Sequence, residues 1–220
     1  MIEKIASDIL TMLNYSTPSR DFGGLIGMEA HMKAMKRLLC IESDEVRMIG
    51  ILGPSGIGKT TIARVLFNQF NDSFELSAFV ENIKELMYRP LCSDDYSTKL
   101  YIQRQFIAQL TNHKEIEICH LGVAQDMLHD KKVLVVLDNI DQSIQLDAIA
   151  KETCWFGQGS RIIITTQDQK LLKAHDGINI FTRLVFHQHL KRVKYFVCML
   201  LDKISLKMVS RILHGKLQNF

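Results

Sequence analysis

The chain has 220 residues, 47% of them apolar, and a formal net charge of +3, which suits one α/β domain and a little more of an ordinary globular kind. No apolar run approaches the ~18 residues that a membrane helix needs. The charge is lopsided: residues 181–220 carry eight Lys/Arg and one acid, whereas residues 1–180 carry 19 basic and 23 acidic side chains, so the body has no nucleic-acid footprint and only the tail could suggest one.

Ile2, Ile5, Ile9 and Leu13 fall on one face of a short amphipathic helix, and Ser16 to Asp21, with Pro18, reads as a linker. Residues 1–20 therefore form a leading helix and connection. The segment Asp21-Phe22-Gly23-Gly24-Leu25-Ile26-Gly27-Met28-Glu29 leads into a second helix through Met32, Met35 and Leu38-Leu39. Taken alone, it is a loop and a helix without evident chemistry.

The stretch Val46 to Phe70 organises the rest. Val46 to Leu52 has the length and composition of a strand buried on both faces. Gly53-Pro54-Ser55-Gly56-Ile57-Gly58-Lys59-Thr60 follows, matching G-x-x-x-x-G-K-[ST] at every fixed position. Ile62, Val65, Leu66 and Phe70 then recur at helical spacing. Glycines let the backbone turn its N–H groups toward phosphate oxygens, and the helix N-terminus adds partial positive charge. Lys59 is placed to reach the β- and γ-phosphates, Thr60 to ligate Mg²⁺, and Thr61 to add a hydroxyl at the α-phosphate. A glycine-rich turn that binds nothing is the bland alternative; strand before, complete motif and helix after weigh against it.

Phe74 to Val80 reads as a second strand, Tyr96 to Leu110 and Leu121 to Leu128 as helices. Lys131 to Asp138 is two basic residues, a buried strand and an acid at its carboxyl end, roughly 80 residues after the phosphate loop: the pattern that holds Mg²⁺ through a carboxylate in such sites. Ile144 to Ala150 is a short helix, Ser160 to Thr166 a strand ending in two hydroxyls, and Asp168 to Ala174 a helix capped by Asp168. Strands alternating with helices predict an α/β fold with a doubly wound parallel sheet of P-loop type, its ligand at the strands' carboxyl ends. Five scattered cysteines (Cys40, Cys92, Cys119, Cys154, Cys198) without C-x-x-C, and an N-terminus broken by Glu3, Lys4 and Asp8, give the expectation of a reduced, cytoplasmic or nuclear protein.

Over about residues 1–180 the chain resembles the nucleotide-binding (NB-ARC) region of plant disease-resistance proteins of the TIR-NB-LRR type. The resemblance rests on NYSTPSRDF, LIGMEAHM, GPSGIGKTTIA, FVENIKE, VLVVLDNIDQ, WFGQGSRIIITT and DQKLLKAH. It implies a signalling switch holding ADP at rest and ATP with Mg²⁺ when active, with residues 21–180 as the nucleotide-binding subdomain. It implies Leu25 and Ile26 beside adenine, Asp138 on Mg²⁺, and Thr166 on the strand that senses the γ-phosphate. Full-length resistance proteins are the protein partners it suggests. Two positions depart from the pattern: Asn139 stands where a second acid is usual, and Gln167 where an arginine often follows the paired threonines. Both point to very slow hydrolysis at most. The TIR, helical ARC and leucine-rich parts lie outside this stretch, so the resemblance implies a truncated member. A decoy without useful nucleotide binding, or a small P-loop ATPase or kinase, are the alternatives.

Residues 181–220 leave the pattern. Phe181 to His189 admits codons in which removing two nucleotides yields Tyr-Lys-Val-Gly-Phe-Pro-Ser-Thr, as the resembled family has there. The tail is therefore read as out of frame, ahead of a basic patch or a metal site from His187 and His189. In the family the fifth strand lies beside the phosphate-loop strand. Here that place falls to Asn179 to Phe186, whose apolar residues do not alternate cleanly. Loose packing of the last ~40 residues is the expectation.

Overall fold

The computed structural model describes residues 29–83, 95–111, 117–178 and 180–184, all within one compact unit that ends at Leu184. The leading helix expected before residue 21, Leu25 and Ile26, and the tail from residue 185 lie outside the described residues. In chain order the elements are α1 (Glu29–Leu39), β1 (Arg47–Leu52), α2 (Lys59–Phe70), β2 (Leu76–Val80), α3 (Asp95–Thr111), α4 (Gly122–Leu128), β3 (Val133–Ile140), α5 (Ser143–Ile149), β4 (Arg161–Thr166), α6 (Gln169–Ala174) and β5 (Ile180–Arg183).

All strand pairings are parallel and the order is β2-β3-β4-β1-β5. Because side chains alternate across a strand, this sheet fills two cores. Met48, Leu52, Val133, Val135, Leu137, Ile162 and Ile164 pack on one face with Ile102, Phe106 and Ile107 of α3 and Leu146 of α5. Ile49, Ile51, Leu134, Val136 and Ile163 pack on the other with Met35 and Leu39 of α1 and Ile62, Ala63, Leu66 and Phe67 of α2. Both faces are covered, which is why β3 and β4 read as continuous apolar runs rather than as alternation. No helix among the described residues is long and apolar enough to cross a membrane.

β5 differs from the sequence expectation. Despite its irregular pattern it pairs with β1, setting Ile49 against Ile180 and Leu52 against Arg183, and the Leu184 amide continues the ladder by donating to the Leu52 carbonyl at 2.7 Å. Leu184 is buried in the α1/α2 core. The strand is only four residues long, and backbone pairing plus one anchored leucine suffice where alternation is weak.

At the far end of β4 the Arg161 side chain is fully buried. Its Nε donates to the Leu39 carbonyl, Nη1 to those of Glu45 and Ser160, and Nη2 to those of Cys40 and Ser43. Two of these acceptors sit at the C-terminal end of α1, where helix carbonyls lack partners and carry partial negative charge. Burial lowers the pKa of the guanidinium, with nearby Arg47 adding to the effect. A group of this basicity keeps its charge regardless.

Candidate functional site

β1 ends at Leu52, and the chain turns through Gly53 to Gly58 into α2. Gly56 and Gly58 adopt φ of 72° and 101°, a region that costs L-residues roughly 1–2 kcal/mol. That turn sets the helix start beneath the loop. The first intrahelical bond is Ile62 N–H to the Gly58 carbonyl, so the amides of residues 58–61 have no partner within the helix, as at any helix start. They crown the carboxyl edge of the sheet.

Lys59 is buried, and its ammonium donates to the carbonyls of Gly53 (2.8 Å) and Pro54 (3.0 Å). Burial lowers its pKa from the ordinary 10.5, an effect that the Asp138 carboxylate partly opposes. Thr60, the next residue, donates its hydroxyl to Asp138, at 3.0 Å from Oδ1 and 3.2 Å from Oδ2. Asp138 lies on β3, and Thr165 on β4 donates to its Oδ1 at 2.6 Å. A cleft of about 310 Å³ opens here, lined by Ser55, Gly56, Gly58, Lys59, Thr60, Thr61, Asn82, Asp138, Asn139, Thr165 and Gln167.

Of the residues singled out from sequence, the loop, Lys59, Thr60, Thr61 and Asp138 converge on this cleft. Gly53, Pro54 and Ile57 are not in its lining. Gly53 and Pro54 contribute carbonyls to Lys59, and Ile57 packs against the α1/α2 core. Thr166 is placed elsewhere. It is fully buried, donates to the Ile140 carbonyl at 2.7 Å and accepts from the Asp168 amide at 3.0 Å. Its neighbour Thr165 faces the cleft instead, because alternation puts Thr165 with Ile163 toward α2 and Thr166 with Ile164 toward the opposite face. Counting parity back from the isoleucines would have found it. Asn82 was also missed; it ends the β2 turn at φ 48°, and no spacing rule ties it to the loop.

Asn139 sits at φ 62°, within a register break between Leu137 and Ile140 where β3 pairs with β4. Asparagine tolerates that conformation better than most residues. Its amide donates to Thr165 Oγ1 at 2.9 Å.

As a Mg²⁺ site the donor set fits: a hydroxyl and a carboxylate already in contact are hard oxygen ligands, and room remains in the cleft for waters and phosphate oxygens.

A parallel sheet with a glycine loop opening a helix after the inner strand β1, and an acid at the end of β3 one strand beyond β4, defines a P-loop nucleoside-triphosphatase fold. The crystal structure of Cdc6p from Pyrobaculum aerophilum shares it, with a TM-score of 0.51 at 18% identity over 78% of this chain and 48% of that one. The chain belongs to the NB-ARC domain family, whose model matches residues 28–190. It is similar to the probable disease resistance protein RPP1 of Arabidopsis thaliana (63% identity, 81% of this chain) and to disease resistance protein TAO1 of the same plant (52%, 84% of this chain). It spans 15% of the length of each of these relatives. With disease resistance protein RML1A, also from Arabidopsis thaliana, the match is 39% identical, takes in 98% of this chain and 24% of that protein, and so reaches beyond residue 184.

Proposed function

We propose that this chain is the nucleotide-binding part of a plant disease-resistance protein, a switch that holds ADP in one state and ATP with Mg²⁺ in the other. The observation that carries the reading is the phosphate loop with Lys59 beneath it and Thr60 in contact with Asp138 across the sheet edge. Phosphate oxygens would take the open amides of residues 58–61 and draw Lys59 from its two carbonyls. Thr60 and Asp138 would hold Mg²⁺, which supplies charge to offset that of the phosphates. Leu25 and Ile26 would flank adenine, and residues 21–180 would make up the nucleotide-binding unit. Full-length relatives are the protein partners proposed, in cytoplasm or nucleus.

The chemistry beyond binding is slow in this reading. Asn139 offers a carboxamide where a base would stand, and Gln167 supplies no cation. Steady-state turnover is expected below ~1 s⁻¹, the low end of ordinary enzymes; faster hydrolysis would turn the assignment toward an enzyme.

The binding test is Lys59→Ala. It removes a charge-assisted contact of roughly 1.5–3 kcal/mol, or ~10–100-fold in affinity. Titration with a fluorescent ADP analogue measures the difference, and equal binding by variant and parent refutes the assignment.

A further inference from the structure

We infer that Thr165 is a positioning residue for Mg²⁺-dependent nucleotide binding, acting by holding the Asp138 carboxylate toward Thr60; the inference rests on the switch reading above. A hydroxyl has one proton to give and two lone pairs to offer. The Asn139 amide donates to Thr165 Oγ1 at 2.9 Å, and the hydroxyl proton is thereby directed to Asp138 Oδ1 at 2.6 Å. The amide is brought there by the register break and by the φ of 62° at Asn139. Backbone, hydroxyl and carboxylate thus form one chain of bonds that sets the rotation of Asp138. Thr60 donates to the same oxygen at 3.0 Å and lies 3.2 Å from Oδ2. Partners of this kind, one bond behind a metal ligand, fix the ligand's orientation, and their loss typically weakens metal binding.

A fully buried threonine straight after three isoleucines calls for a reason, since valine has nearly its shape and no hydroxyl to desolvate. One reason is local: the hydroxyl satisfies the Asn139 amide and does nothing for Asp138. The two roles differ in what they do to Mg²⁺. The full chain is titrated with a fluorescent ADP analogue, in EDTA and across a Mg²⁺ series. In Thr165→Val the Mg²⁺ concentration for half-maximal enhancement should rise roughly 10–100-fold, with affinity in EDTA unchanged. Thr165→Ser should match the parent. In an Asp138→Asn background, Thr165→Val should add nothing, because a residue acting through another has no effect once that other is gone.

Parent-like Mg²⁺ dependence in Thr165→Val, equal loss in Thr165→Ser, or a full additive loss in the Asp138→Asn background each overturn the inference. Binding by the parent and its loss in Lys59→Ala would leave the switch reading standing in those cases. A parent that binds no nucleotide overturns both. Should valine prevent folding, Thr165→Cys keeps the volume with only a weak donor and carries the same expectation.

Discussion

Lys59 and Arg161 are both buried cations that donate to carbonyls, yet one is placed to exchange its partners and the other is not. Lys59 has two acceptors in its own loop, and an anion entering the loop can replace them. Its pKa is lowered by burial, so the free chain loses the ammonium at lower pH than an unfolded lysine would. Phosphate affinity needs that ammonium. It should therefore hold at neutral pH and fall as pH rises through the lowered pKa, before the ordinary 10.5 is reached; ADP titrations over the alkaline range would show it, and a profile flat to 10.5 would contradict it. Arg161 instead spends its donors on residues that no ligand reaches. Arg161→Met should cost roughly 2–4 kcal/mol in urea unfolding, the cost of leaving one or two of its carbonyls unpaired. Arg161→Lys should recover only part, since three mobile donors cannot span acceptors set out for a planar fork. The phosphate loop was legible because its chemistry is local in sequence. The Arg161 anchor was not, because its acceptors at residues 39–45 lie more than a hundred positions away and are backbone atoms that any side chain could carry.

Among the elements, those with buried apolar runs or strong helical spacing stood out in the sequence, and β5 did not. Val133 to Leu137 has five apolar residues in succession, all buried, and no other element type suits so short a run between polar ends. Ile180 to Arg183 offers no such signal, because it is held by a ladder with β1 and by Phe181 packing against the core, neither of which shows as a pattern in so short a stretch. That ladder has a use: it leaves β1 inside the sheet, with β4 on its other side. A chain ended after residue 178 would expose the backbone edge of Arg47–Leu52, an apolar strand and hence an aggregation liability. Light scattering should show that variant associating at concentrations where a chain ended after residue 184 stays dispersed. Equal behaviour of the two would mean that β5 does not protect the edge.

For the molecule as a whole, ligand binding and folding are linked. A ligand at 100 times its Kd adds about 2.7 kcal/mol to stability, which for a domain of this size is a rise in Tm of roughly 5–10 °C. ADP with Mg²⁺ should produce that shift in a thermal melt, and Lys59→Ala, with its ~10–100-fold weaker binding, should retain only about 0.4–1.4 kcal/mol of it at the same concentration, cutting the shift to roughly half or less. The three β4 neighbours Ile162, Ile163 and Ile164 match β1 positions from Met48 to Gly50 and β3 positions from Val135 to Leu137.

Three isoleucines in a row carry no mark of where they belong, and shifted by one they would still meet apolar neighbours. The marks are at the strand's two ends. Arg161 fits only beside the residue 39–45 connection, Thr165 only between Asp138 and the Asn139 amide, and Thr166 only between Ile140 and the start of α6. A slip by a single residue would turn each polar group to the wrong face and strand the arginine's charge in an apolar core. β4 is thus indexed at both ends like a key with teeth on each side of a smooth shank. Blunting those teeth together, as in Arg161→Met with Thr166→Val, should yield a chain that still collapses but gives more than one set of backbone amide resonances for β4.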